Sequence, residues 1–278
     1  MDDLPVLADD GLETPDVGEW SEQKYQLVRT YADLFARGTR KAWKHRVFVD
    51  LFAGTGRARM GRGIVPSSSS LALGVDEPFD RYIFCDLTLN ALEARVHRDF
   101  PNADARFVAG DVNAKVDEIL GHLPQHAPGA GVLSFCFVDP FSFGNLKFAT
   151  IRRLAERYMD FLVLIPAGYD GNRNRRVYLD GTSEKLDDFL GDRDWRAEWD
   201  EQTGRGPQRF SGFVIDQFGQ RMKAIDFKYK DLGDAAPIRL PGKNVLLYVL
   251  VLFSRSDLGK KFWGATMEAC SPQRGLGF

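Results

Sequence analysis

Val47-Phe48-Val49-Asp50-Leu51-Phe52-Ala53-Gly54-Thr55-Gly56-Arg57-Ala58 decides the fold. An apolar run ends at an acid, and the Gly-x-Gly turn after it reads as the opening of a helix. A strand that buries its Val and Leu side chains between layers has a rigid carboxyl edge. Gly54 and Gly56 let the backbone turn sharply there and lie close to a ligand with no Cβ in the way. The run is not the Gly-x-Gly-x-x-Gly of dinucleotide enzymes, because Arg59 stands at the third position; nor does it carry the Gly-Lys-Ser/Thr of a phosphate loop. An acid-x-Phe-x-Gly-x-Gly loop, with Phe52 inside it, suits a cofactor without a pyrophosphate and points to S-adenosylmethionine. The plainer alternative is a tight strand-to-helix turn that holds no ligand.

Composition narrows the class. A chain of 278 residues holds one large domain or two small ones, and 44% hydrophobic with 27% charged residues is enough for a sizeable core. A net charge of -2 gives no global attraction to nucleic acid, so any such contact needs a local basic patch. Cys85, Cys136 and Cys270 are widely spaced, as buried thiols in a reducing compartment are, and His45, His97, His122 and His126 form no zinc-type pair. No metal site is expected. Residues 1 to 19 are acidic and contain Gly and Pro, unlike a signal peptide, and no apolar run is long enough to span a bilayer. The expectation is a cytoplasmic protein without a membrane partner.

Outward from the first strand, residues 1–18 read as a mobile acidic leader and 19–278 as a single domain. A helix is predicted over Glu19–Ala36 with Ser21 as N-cap. Another starts in the serine run at Ser67–Leu73. Strand and helix then alternate: Arg81–Cys85 ending at Asp86, Leu89–Arg98, Ala105–Ala109 ending at Gly110-Asp111-Val112-Asn113, a helix to Leu120, and Gly131–Val138 stopping at Asp139. Helix Leu146–Tyr158 and strand Asp160–Ile165 follow, then an elaborated region at about 167–209 and a helix over Phe210–Met222. A hairpin of Ala224–Lys228 and Val245–Phe253 closes the sheet before a last helix, Gly259–Cys270. Such alternation implies parallel strands and right-handed crossovers. The predicted fold is α/β, Rossmann-like, with a seven-stranded mostly parallel sheet, its last strand antiparallel, and helices on both faces.

Asp50, Asp86, Asp111 and Asp139 each fall where a strand ends, and in a doubly wound sheet those ends line the ligand crevice. Asp50 can accept from the loop amides or pair with the ammonium of a methionine moiety. Asp86 can take both ribose hydroxyls, with capping of the next helix as the alternative. Asp111 can bond an adenine amino group while Val112 packs on the ring; a simple turn is its alternative. Asp139-Pro140-Phe141 lies above the reactive end of such a cofactor. Enzymes that methylate an exocyclic amine carry Asp/Asn-Pro-Pro-Tyr/Phe there: the acid and the next carbonyl accept the amine's hydrogens, and the aromatic ring stacks on the target. The match is partial, since Ser142 follows a single Pro-Phe. Tyr169, Arg173, Arg175 and Arg176 leave the next strand at the same edge and are candidates for phosphates or bases, against the alternative of a solvated loop.

Gly18-Glu19-Trp20 with Lys24 and Tyr31, the run Phe48–Gly56, Gly110-Asp111-Val112-Asn113, Val138-Asp139-Pro140-Phe141 and the closing Leu247–Ser254 together resemble the three-Cys-motif partner proteins. These are bacterial proteins often encoded beside one with three clustered cysteines. The resemblance runs from about residue 18 to near the end. It implies a class I methyltransferase, S-adenosylmethionine contacts at Asp50, Gly54, Gly56, Asp86 and Asp111, a target-facing role for Asp139, Pro140 and Phe141, and a protein partner. The chain departs from it at Asp86, often Glu in the family, and at Ser142, commonly Gly.

The sequence thus leads to methyl transfer from S-adenosylmethionine to an amine nitrogen, a nucleobase in DNA or RNA being favoured. Two other classes stand beside it: a partner-dependent binding protein that keeps the fold, and a small-molecule methyltransferase. A nuclease would need a metal cluster that the sequence does not offer. Nothing in the sequence indicates the oligomeric state.

Overall fold

Strand β1 (His45–Asp50) forms from that first apolar run, and the sheet grows from it both ways. The structure, a computed structural model, describes residues 4–61, 63–127, 129–204, 209–243 and 245–271. On one side β1 pairs in parallel with β4 (Arg81–Asp86), and β4 with β5 (Ala105–Ala109). On the other side come β6 (Val132–Val138) and β7 (Met159–Ile165), also parallel. Then β9 (Val245–Phe253) runs antiparallel to β7, and β8 (Ala235–Leu240) pairs with β9 at the edge. A separate hairpin joins β2 (Arg57–Met60) to β3 (Gly63–Pro66). The sheet order is β5-β4-β1-β6-β7-β9-β8. Chain direction away from β1 reverses between β1 and β6, which makes the carboxyl ends of these two strands the switch point where ligands sit.

The period of two divides the core. Val47, Val49 and Leu51 face one layer, where α4 (Val112–His122), α5 (Phe148–Leu154), α7 (Lys185–Leu190), α8 (Trp195–Gly204) and α9 (Phe210–Ala224) cover the sheet. Phe48, Phe84, Phe135, Phe137, Leu162 and Leu164 face the other, under α1 (Ser21–Thr39), α2 (Ser68–Leu73), α3 (Asn90–Asp99) and α10 (Asp257–Cys270). Each such side chain, fully buried, contributes about 2 kcal/mol. The same parity decides where the acids point: Asp50 follows Phe48, and Asp139 follows Phe137, so both turn toward the α1 layer.

Three expected elements need correction. The Gly-x-Gly turn opens the β2–β3 hairpin, not a helix; Ala58 and Met60 alternate inward against Leu4 and Tyr25, and α2 begins only at Ser68. The strand expected at Ala224–Lys228 is not one. Those residues close α9, with Asp226 at φ +72°, and the edge strand is β8, whose Ala236 and Ile238 alternate inward. Pro237, which lacks an N–H, is tolerated because β8 has a partner on one side only. Ser21 is the first helical residue of α1, and Trp20 holds the N-cap position.

Residues 4–18, composed like a mobile leader, lie along the hairpin as a strap. Leu7 N donates to the Ile64 carbonyl, Arg59 N to that of Pro15, and Val17 N to that of Arg59 (2.7–2.8 Å). Asp10 is bound by the Arg95 guanidinium at 2.7 and 2.9 Å, and Arg95, 1% exposed, also donates to the carbonyls of Glu13 and Thr55. Of the elaborated region, residues 205–208 lie outside the described residues. The rest is a wide π-type turn at Ala167–Asn172, then α6 (Arg175–Leu179), α7 and α8.

Candidate active site

The loop after β1 is built around its two acids. Asp50, 0% exposed, accepts from the Ser68 hydroxyl at 2.7 Å and the Phe52 amide at 3.2 Å; the Ser69 hydroxyl, 3.2 Å away, donates to the Ala53 carbonyl at 2.7 Å. The serine run therefore exists to hold Asp50 and its loop. Burial lifts the Asp50 pKa to about 7, despite the opposing Ser68 bond. Asp86 accepts from the Gly54 amide at 2.8 Å and the Leu87 amide at 2.7 Å. It does not cap a helix, since α3 starts at Asn90. Gly54 has φ +61° and Gly56 φ +81°. A Cβ on Gly54 would meet nothing within 4 Å, whereas one on Gly56 would lie 2.8 Å from Leu92. The space above Gly54, at the sheet's carboxyl edge, is open to a ligand.

Asp111 is exposed and N-caps α4, accepting from the Asn113 amide at 2.9 Å; Val112 lies in the core beneath it. Leu87, which the sequence reading did not single out, is 70% exposed beside Asp86. An exposed apolar residue directly after an acid at a strand end was the available signal.

Asp139 is reached from α1. Its Oδ2 accepts from Lys24 Nζ at 2.5 Å, with the two side chains 16% and 15% exposed. Burial alone would lower the lysine pKa; the Asp139 carboxylate outweighs it and holds the ammonium above its ordinary value. The signal in the sequence was a lysine on the apolar stripe Lys24, Leu27/Val28, Tyr31, Phe35. Both side chains line a cavity of about 260 Å³, together with Trp20, Pro140, Phe141 and Tyr248. Phe141 is 66% exposed and meets Tyr169 edge-on at 5.4 Å, while Tyr169 stacks on Tyr248 at 5.7 Å. Trp20 folds over Gly18, where a Cβ would come within 2.1 Å of the indole.

The π-type turn fixes this aromatic wall. Asp170 accepts from the Phe143 amide at 2.8 Å, Asn174 Nδ2 at 2.7 Å and the Tyr178 hydroxyl at 2.6 Å, which ties the loop after Asp139 to the turn after β7. Gly168 permits it: a Cβ there would lie 2.0 Å from the Leu246 carbonyl oxygen. Of the arginines, Arg173 lies over the Tyr169 ring at 5.1 Å and so borders the wall. Arg175 packs instead over Trp199 at 5.1 Å, toward the opposite layer, and Arg176 is exposed on α6.

The sheet order places six strands of one direction, with an antiparallel β9 inserted between β7 and the edge strand β8, behind a glycine loop. The fold is that of the class I methyltransferases. No family model matches the chain, and no curated protein matches its sequence. Among solved structures, a Legionella pneumophila protein of family DUF519 is 12% identical, with a TM-score of 0.47 over 88% of this chain and 91% of that one. The N-methyltransferase NodS from Bradyrhizobium japonicum, solved with S-adenosyl-L-homocysteine, is 9% identical, with a TM-score of 0.41 over 86% and 88%. The pyocyanin biosynthetic protein PhzM is 13% identical, with a TM-score of 0.38 over 82% of this chain and 54% of that one, so the chain spans about half of PhzM. Among the described residues no helix is long and apolar enough to cross a membrane.

Proposed function

We propose that the chain is a methyltransferase that uses S-adenosylmethionine and acts on an amine nitrogen, with a nucleobase as the favoured acceptor. One observation carries the reading: a glycine loop clamped by Asp86 and the Asp139-Pro140-Phe141 turn share the carboxyl edge of one sheet, and an aromatic-walled cavity opens at the second. The space beside Gly54 is open, so a ligand can approach the loop backbone there. When bound, the cofactor supplies a methyl group on a sulfonium, which leaves as a neutral thioether while the new N–C bond forms. Asp86 keeps acceptor capacity for ribose hydroxyls beyond its two amide bonds. Asp139 and the Pro140 carbonyl accept the amine's hydrogens, and one of those protons leaves to solvent. Phe141 stacks on the acceptor ring, and Trp20 packs along the same cavity. Positioning of this kind supplies most of the rate of such a transfer.

The finer family reading, a three-Cys-motif partner protein of bacteria, rests on the motif resemblance, as does a protein partner with three clustered cysteines. DNA or RNA as the acceptor's carrier rests on Arg173 beside the aromatic wall. The test is calorimetric titration with S-adenosylmethionine. Micromolar binding that is lost in Asp86→Ala supports the reading. No binding by folded wild-type protein refutes it.

A further inference from the structure

The Asp139–Lys24 pair is more than a charged wall. Among the described residues Asp139 Oδ1 makes no hydrogen bond, and Lys24 uses one of its three N–H bonds, on Asp139 Oδ2 at 2.5 Å. The cavity they line thus offers an acceptor and a strong donor side by side, between Trp20, Phe141 and Tyr248. Its other charged lining residue is Asp16, 88% exposed on the strap.

We infer that Lys24 determines specificity: with Asp139 it reads a planar ring that carries an amine on the carbon next to a ring nitrogen. This deepens the proposed function and rests on it for the fate of the amine. Two nitrogens on one sp² carbon, each about 1.33 Å from it, lie about 2.3 Å apart. That spacing is close to the 2.5 Å between Lys24 Nζ and Asp139 Oδ2, an oxygen that keeps a second lone pair for the amine beside the unbonded Oδ1. The amine donates to Asp139 while the ring nitrogen accepts from Lys24, a bidentate contact of the kind that distinguishes bases by their edges. The ammonium stays charged in this setting, so it donates and does not compete as a methyl acceptor. Rings with a carbonyl in place of the amine set a lone pair against the carboxylate and are rejected.

The probes are 2-aminopyridine, aniline and pyridine under conditions where all are neutral. Their affinities are read by NMR titration of the full chain, with and without S-adenosylhomocysteine. The expected result is that 2-aminopyridine binds about tenfold more tightly than either single-function ring, as one charge-assisted hydrogen bond allows. In Lys24→Met the advantage over aniline falls to about unity, and Lys24→Arg restores it. Equal affinity of wild type for 2-aminopyridine and aniline overturns the inference, as does no binding of any ring, or an advantage that survives Lys24→Met in protein with a cooperative melt. The wild-type comparison stands even where Lys24→Met fails to fold. Failure of S-adenosylhomocysteine to bind is read separately and counts against the methyl-transfer reading, since the rings are also titrated without it. Adenosine and a short adenine-bearing single strand present the same edge free and in a polymer. The tighter one identifies the source, and failure of both to compete with 2-aminopyridine also overturns the inference.

Discussion

Replacing Asp50 by Asn isolates the cost of a buried charge. Asp50 has no exposed surface, and its pKa is raised from 3.8 to about 7 by burial. A carboxyl with a higher pKa folded than unfolded favours the folded state only while protonated, so stability falls as pH rises from about 4 to about 7 and stays low above. The full difference of about three pH units corresponds to about 4 kcal/mol, of which about 3 kcal/mol develops between pH ~5 and ~8. Asn keeps the shape, can still accept from Phe52 N, and loses the ionisation, at a cost of about 1 kcal/mol for the altered bond to Ser68. Urea unfolding of both proteins across that range checks this. The wild-type stability minus that of Asp50→Asn should drop by about 3 kcal/mol from the acid to the alkaline end. A difference that is flat, or that rises with pH, refutes the reasoning.

Two further substitutions probe the supports of the site. Gly168→Ala puts a methyl 2.0 Å from the Leu246 carbonyl, a backbone atom that moves only with β9, so a loss of about 1–3 kcal/mol or more is expected in thermal melting, with weaker ring binding at the aromatic wall. Arg95→Leu removes the bidentate partner of Asp10, which keeps Arg57 and Arg98, and takes the Arg95 bond from the Glu13 and Thr55 carbonyls; a loss of about 1–3 kcal/mol and faster proteolysis within residues 4–18 are expected, and an unchanged cleavage pattern would count against the strap. The bond from Arg95 holds the Asp10 pKa below its ordinary value, so the strap's anchorage is complete above the ordinary carboxylate range and weakens as pH falls through it.

How much of this was legible follows from range in sequence. The parity of Val47-Phe48-Val49-Asp50, the glycines and the acids at strand ends are local, and they place the sheet's carboxyl edge and both halves of the candidate site. The strap was not legible, because its acids look solvated until Arg57, Arg59, Arg95 and Arg98, some forty to ninety residues away, arrive beside them. The β2–β3 hairpin was hidden by its brevity and by Gly61 and Gly63 within a basic stretch. β8 was hidden by Pro237, which argues against a strand everywhere except at an edge. Lys24 was visible as a lysine on an apolar stripe, but its meaning needed Asp139, 115 residues away, on the same face.

The four strand-end acids look equivalent in sequence and are not so in the structure, and the difference lies in what each accepts from. Asp50 is held by one hydroxyl and one amide, Asp86 by two amides, and Asp111 by the first turn of α4. Those donors are fixed by the backbone or by short side chains, so the three carboxylates organise loops whether or not a ligand is present. Asp139 alone is held by a long, flexible side chain, and a lysine can swing while keeping its charge. Desolvating Lys24 is costly, and an apolar residue at that place on α1 would fill the stripe with no such penalty. A charge kept there against that penalty makes Asp139 and Lys24 the pair to examine as the reading edge of the site, while Asp50 and Asp86 keep the loop beneath it in shape.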